Sequence, residues 1–126
     1  MAKLTEEAIK AWDDREGPVI FTTVDKDGVP NSIYVTCVKK IADDKIVVAD
    51  NKFHKTRENI ISGTKASLLY ITAKKKAYQL KGSIDYLTEG QVYDDMKEGW
   101  LDKKMPGKGA TLVHIEEIYS GAEKLA

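Results

Sequence analysis

Along most of this chain hydrophobic and polar positions alternate with a period of two, the pattern of half-buried strands. The cleanest case runs from Ala77 to Tyr86, where Tyr78, Leu80, Ile84 and Tyr86 point one way and Gln79, Lys81, Ser83 and Asp85 the other. Pro18 to Val24 is rich in β-branched residues and includes Phe21, side chains that fit a pleated surface. Asp25-Lys26-Asp27-Gly28 supplies a turn, with Asp27-Gly28 a strong hairpin signal. Asn31 to Lys40 is the returning strand. Its Ile33, Val35 and Cys37 share one face and Tyr34, Thr36 and Val38 the other, so both faces are fairly apolar, as in a barrel wall covered from outside by a helix or a partner. Ala42-Asp43-Asp44-Lys45 turns the chain into a third strand, Ile46 to Ala49. Ala66 to Thr72 gives a fourth, Ala77 to Tyr86 the fifth, and Ala110 to Tyr119 the last.

Three stretches change to the helical period. Leu4 to Arg15 places Leu4, Ala8, Ile9 and Trp12 on one face, behind Thr5 as N-cap, and Gly17-Pro18 stops it. Thr56 to Ser62 makes about two turns, closed by Gly63 at the left-handed C-cap position. Thr88 to Lys103 opens on a capping box, Thr88 with Gln91, and a hydrophobic staple, Leu87 with Val92. Val92, Met96 and Trp100 then recur every four residues as one stripe, which with the outer face of residues 31–40 offers a surface to a two-fold partner. Six strands with helices at the edges, joined mostly by short antiparallel turns, argue against a doubly wound sheet. They predict a mainly β fold: one domain over residues 1–126, a six-stranded antiparallel barrel, closed or partly split, with peripheral helices.

Composition narrows the partners. Lys plus Arg equals Asp plus Glu at 20 each, so there is no basic excess of the kind a general nucleic-acid binder carries. One cysteine cannot close an intrachain disulfide, and with two histidines it cannot build a standard zinc site. No apolar run approaches the ~20 residues of a membrane span, and no signal-peptide core opens the chain. The expectation is a cytoplasmic protein that engages neither nucleic acid nor membrane.

The candidate chemistry gathers between Gly28 and Ser62. A strand ending at Ala49, a short loop and a helix opening on Lys55-Thr56 point backbone donors, an ammonium and a hydroxyl into the crevice at a strand end, a seat for phosphate. Asn31 and Ser32 follow Pro30 at the start of a strand and are ordinary turn residues or further donors to that seat. Arg57 adds charge there or is a solvated helix residue. His54 and His114 have no Ser, Cys or paired carboxylate at an interpretable spacing, so neither reads as a general base. Gly107-Lys108-Gly109 is not a P-loop: Asp102 stands where the first Gly is required, and Gly109 replaces the Ser or Thr. Cys37, in an apolar strand without a thiolate stabiliser, reads as a small buried hydrophobe.

In the Asn31-Ser32 pair, the Ile46-Val47-Val48 strand and the His54-Lys55-Thr56 step, the chain resembles the small FMN-binding split-barrel proteins of the pyridoxamine 5′-phosphate oxidase-like superfamily. The resemblance implies a homodimer with one FMN per subunit in crevices at the dimer interface. Asn31, Ser32, Lys55 and Thr56 would then contact phosphate and ribityl oxygens, and the backbone of Val47, Val48 and Ala49 would run along the isoalloxazine. Trp100, Met105 and Lys108 are the candidates to reach the ring from the second subunit. The implied activity is flavin-dependent hydride or electron transfer, by an oxidoreductase or by an electron carrier with no substrate of its own; a flavin-free binding module on the same fold is the third reading. The chain is much shorter than pyridoxamine 5′-phosphate oxidases proper and lacks the C-terminal Arg and His pattern with which they hold substrate, so vitamin B6 oxidation is not expected.

Overall fold

The computed structural model describes residues 4–63 and 65–126. They form α1 (Glu6–Asp13), β1 (Val19–Val24), β2 (Pro30–Val35), β3 (Val38–Ala42), β4 (Lys45–Asp50), α2 (Lys55–Ile61), β5 (Lys65–Ile71), β6 (Ala77–Leu87), α3 (Gln91–Asp94), β7 (Gly109–Ser120) and β8 (Glu123–Lys124). One antiparallel sheet holds all eight strands in the order β2-β1-β5-β6-β7-β4-β3, with β8 laid on β7. The mainly β, split-barrel expectation holds, with two more strands than the sequence pattern counted.

One of the extra strands locates the split. Residues 31–40 do not run as one strand but break at Thr36 and Cys37, because β2 pairs with β1 while β3 pairs with β4. These two strands are opposite edges of the sheet. Three Cα steps, from Val35 to Val38, span about 11 Å at most, so the edges must come together there and the sheet must curl on itself. They are not hydrogen-bonded to each other as strands. The barrel is shut at the crossing and open beside it.

The interior is filled by Val19 and Phe21, Ile46 and Val48, Leu68 and Tyr70, Tyr78 and Leu80, and Val113 and Ile115. Helix α1 plugs one end: Thr5 accepts the Ala8 N–H as its cap, and Trp12 meets Tyr70 edge-on at 5.1 Å between ring centroids. Strand β4 is buried on both faces. Ile46 and Val48 point inward, whereas Val47 and Ala49 join Ala110 and Leu112 under Met96 and Leu101 in a second, outer cluster.

That outer cover is where the sequence pattern and the structure differ most. The helical stretch begins at Gln91, not Thr88, because β6 continues to Leu87 in register with Ala110. The Thr88–Gln91 capping box does not form; Gly90 at φ +94° takes the N-cap position, and Gln91 bonds Asp95 instead. From Asp95 to Trp100 the turn widens to a π-helix, with Leu101 N–H donating to the Met96 carbonyl. The stripe of Val92, Met96 and Trp100 packs on the chain's own sheet, with Met96 fully buried and Val92 and Trp100 half-buried. Exposed apolar surface sits on β2, where Tyr34 is 74% exposed. No helix among the described residues is long and apolar enough to cross a membrane.

Candidate functional site

Strand alternation decides which side chains of β2 can meet α2. Asn31, Ile33 and Val35 lean inward and Pro30, Ser32 and Tyr34 outward. Asn31 Nδ2 donates to Thr56 Oγ1 at 3.0 Å, and Thr56 is only 2% exposed. The Ser32 hydroxyl is on the other face, 2.7 Å from the hydroxyl of Thr22. One turn further along α2, Asn59 donates to Thr23 at 3.0 Å, with both residues buried. Polar side chains therefore seat this helix on β1 and β2.

Lys55 stays at the surface. Its ammonium is 3.9 Å from Asp25 and 3.6 Å from Glu58, loose pairings that leave it available to another anion. The backbone N–H of Val29, foremost among its hydrogen bonds, holds the Asp25 carboxyl below the usual range. At the start of α2, the full cationic charge comes from the side chains of Lys55 and Arg57. His54 occupies the N-cap position without a side-chain capping bond.

Asp50, the last residue of β4, is fully buried and organises the approach to α2. One carboxylate oxygen accepts the Phe53 N–H at 2.8 Å; the other accepts Arg57 Nε at 2.7 Å and the Tyr86 hydroxyl. Burial pushes this carboxyl up, but the donors from Arg57, Tyr86 and Phe53 outweigh it and hold it below the ordinary carboxylate range. The same contacts act on the donors. The Asp50 carboxylate raises the Arg57 guanidinium, and burial followed by the bond to Asp50 pushes the Tyr86 phenol up to about 12. Arg57 Nη2 is buried with no acceptor among the described residues. The backbone also joins in: the Asp50 carbonyl accepts Lys108 N–H at 2.7 Å, and Asn51 Oδ1 accepts Gly107 N–H at 3.0 Å. Gly109 must lack a side chain here, since a Cβ would lie 2.3 Å from the Tyr86 ring.

Beside this network, at the split, lies a cleft of about 400 Å³ lined by residues 33–37, Ala49, residues 51–53 and Met105. Of the strand Val47-Val48-Ala49, only Ala49 reaches it. Val48 fills the interior and Val47 the outer cluster, and β4 is flanked on both sides by ladder partners in β3 and β7. Met105 reaches the cleft within its own chain. Lys108 is exposed three residues further on, and Trp100 packs on the outer cluster, lining a separate cleft with Lys39, Lys40 and Ile41. Sequence reasoning passed over Asp50, Asn59 and Tyr86. The one local signal was an Asp closing an apolar strand, which reads equally well as a turn residue. No group of three metal-ligating side chains occurs among the described residues.

Comparisons with known proteins agree with this fold. Over 127 residues the chain is 35% identical to an uncharacterized protein of Methanocaldococcus jannaschii, covering 95% of this chain and 82% of that one. Its fold is that of HupZ from Group A Streptococcus, at a TM-score of 0.80 and 24% identity over 93% of both chains. It is also that of an FMN-binding protein from Syntrophomonas wolfei, at a TM-score of 0.78 and 22% identity over 94% of this chain and 86% of the other. The sequence model of pyridoxamine 5′-phosphate oxidase matches residues 5–120, nearly the whole barrel from the first helix cap to the end of β7, and the chain therefore belongs to that family.

Proposed function

We propose that this chain binds FMN at the split of its barrel and serves as a small flavin-dependent oxidoreductase. The observation that carries the reading is the junction of two unlike surfaces. A largely apolar cleft of about 400 Å³ continues two residues along β2 to Asn31 and two residues beyond Phe53 to Lys55. A tricyclic ring needs apolar walls with a few polar groups, and a phosphate needs cationic and hydroxyl donors. The residues present fit: Lys55 is half exposed and loosely paired, next to the Asn31 and Thr56 side chains, which meet at 3.0 Å.

In this reading Asn31, Lys55 and Thr56 hold the phosphate end, and Ser32 contributes through its backbone because its hydroxyl is turned to Thr22. Ala49 and Met105 wall the ring, while Val47 and Val48 fix the strand behind it. Bound flavin supplies hydride or single-electron transfer at its N5; the protein holds, orients and shields it. A second copy covering the cleft beside exposed Tyr34 would complete the site, with Lys108 the side chain we assign to the partner's ring; Trp100 is held by its own chain. The Syntrophomonas relative, an FMN-binding protein of the same fold, supports the choice of cofactor.

An absorbance spectrum of the purified protein, followed by titration with FMN and riboflavin, tests this directly. Flavin bands and a preference for FMN are expected; absence of binding by either refutes the reading. Bleaching of the bound flavin by NADH or NADPH marks an oxidoreductase, whereas reduction only by dithionite or protein partners makes the chain an electron carrier. Sedimentation with and without FMN should show tighter dimers with the ligand.

A further inference from the structure

We propose that Asp50 is the positioning residue of the phosphate seat, fixing Lys55 and Thr56 in place without touching the ligand. The inference rests on the FMN reading above. Lys55 and Thr56 stand between Phe53 and Arg57, and one buried carboxylate binds the backbone N–H of the first and the guanidinium of the second. The start of α2 is thus gripped on both sides by a single group. Tyr86, from the distant β6, ties that group to the barrel. The other polar anchors of the helix, Asn31 to Thr56 and Asn59 to Thr23, set its seat on the sheet but not the path of the loop entering it.

The same residue holds the ring side of the site by different atoms. Its carbonyl takes Lys108 N–H, and its neighbour Asn51 takes Gly107 N–H, so the segment carrying Met105 does not depend on the carboxylate. Asp50→Asn separates the two roles. The amide keeps the shape and an acceptor for Phe53, but it turns an N–H₂ group toward the guanidinium of Arg57, which can only donate. Arg57 then loses its acceptor, and the helix start is released while the cleft wall stays.

The test is titration of the whole protein with FMN and with riboflavin, in wild type, Asp50→Asn, Tyr86→Phe, Lys55→Ala and Asp50→Asn combined with Lys55→Ala, alongside thermal melts. Wild type should prefer FMN at least roughly tenfold, from the charge-assisted contacts a phosphate gains. Asp50→Asn should lose most of that preference, with riboflavin affinity changed by less than about twofold, since only the phosphate end is disturbed. Tyr86→Phe, which removes one of three donors and spares the fold, should lose part of it. Adding Lys55→Ala to Asp50→Asn should weaken FMN by less than about twofold beyond Lys55→Ala alone, because both act through one seat. Equal weakening of both flavins, or an FMN preference kept in Asp50→Asn, overturns the positioning role while leaving the FMN site intact. Should Asp50→Asn fail to fold, an unchanged preference in Tyr86→Phe overturns it. A wild type that does not prefer FMN removes the seat itself, and the inference with it.

Discussion

Replacing Lys55 by alanine and Thr56 by valine separates two neighbouring residues that the structure places in different surroundings. The Lys55 ammonium is half exposed and its carboxylate neighbours are 3.9 and 3.6 Å away. Loose, exposed pairs of this kind contribute roughly 0–0.5 kcal/mol, so Lys55→Ala should melt within about 2 °C of wild type. Thr56 is buried, and its hydroxyl is the acceptor for Asn31. Valine keeps the shape and deletes the acceptor, which costs about 1 kcal/mol, or about 3–5 °C for a domain of this size. Affinity should rank the other way. Losing a charge-assisted contact of roughly 1.5–3 kcal/mol makes FMN binding about ten- to 150-fold weaker in Lys55→Ala, whereas losing the neutral hydroxyl weakens it only about fivefold. Riboflavin should bind both variants as it binds wild type. Calorimetry of the flavin-free protein and fluorescence titration of both ligands supply the two rankings. A Lys55→Ala protein that keeps its FMN affinity places the phosphate elsewhere, with Asn31 and Arg57 as its holders. A Thr56→Val protein that melts with wild type shows that the Asn31–Thr56 bond adds nothing.

Three further outcomes follow from the packing and the buried charges. Met96→Ala empties the centre of the outer cluster and should cost about 2–5 kcal/mol in urea unfolding; a loss under about 1 kcal/mol would mean the π-helical turn is not held by that side chain. Gly109→Ala drives a methyl into the Tyr86 ring and should destabilise by roughly 1–3 kcal/mol, whereas Gly99→Ala, with nothing within 4 Å of the added carbon, should be neutral or stabilising. The third concerns pH. The Asp50 carboxyl lies below its unfolded value of about 3.9, so its contribution is present above that pH and is lost as pH falls further. The Tyr86 phenol is raised to about 12, so its contribution is present below its unfolded value of about 10 and is lost as pH rises toward 12. Stability measured against pH should fall at both ends, and Tyr86→Phe should remove part of the alkaline loss; a profile identical to wild type there would refute the assignment.

What could be read from the sequence was what neighbours in the chain determine. Asp27-Gly28 turns as its residue types require, with Gly28 at φ +84°; Gly63 closes α2 at φ +85°; Thr5 caps α1. The alternation from Ala77 to Tyr86 puts Tyr78 and Leu80 in the core. The failures are tertiary. Nothing in Thr36-Cys37 resembles a turn, and the strand breaks there because its two halves answer to different partners, β1 and β4. The Thr88 box is overridden because residues to Leu87 are claimed by β7. Lys55 and Thr56 were visible as a pair but not as an exposed cation beside a buried hydroxyl, since Thr56 meets Asn31 from 25 residues away. Asp50 was invisible for the same reason: Tyr86, one of its donors, lies 36 residues off.

The sheet order also sets a timetable for synthesis. Hairpins β1–β2 and β3–β4 join neighbours in sequence and can form as the chain emerges. The β3–β4 hairpin, however, is bound into the sheet only by β7, whose Gly109 to His114 pair with Asp50 to Lys45. Those partners are about sixty residues apart, and such late, non-local pairings slow folding to the millisecond-to-second range. Until β7 arrives, β4 and β6 each present an open edge able to capture another strand. A nascent chain stalled before Gly109 would therefore carry Ile46, Val47 and Val48, from a strand that the finished fold buries on both faces, without the segment that covers it.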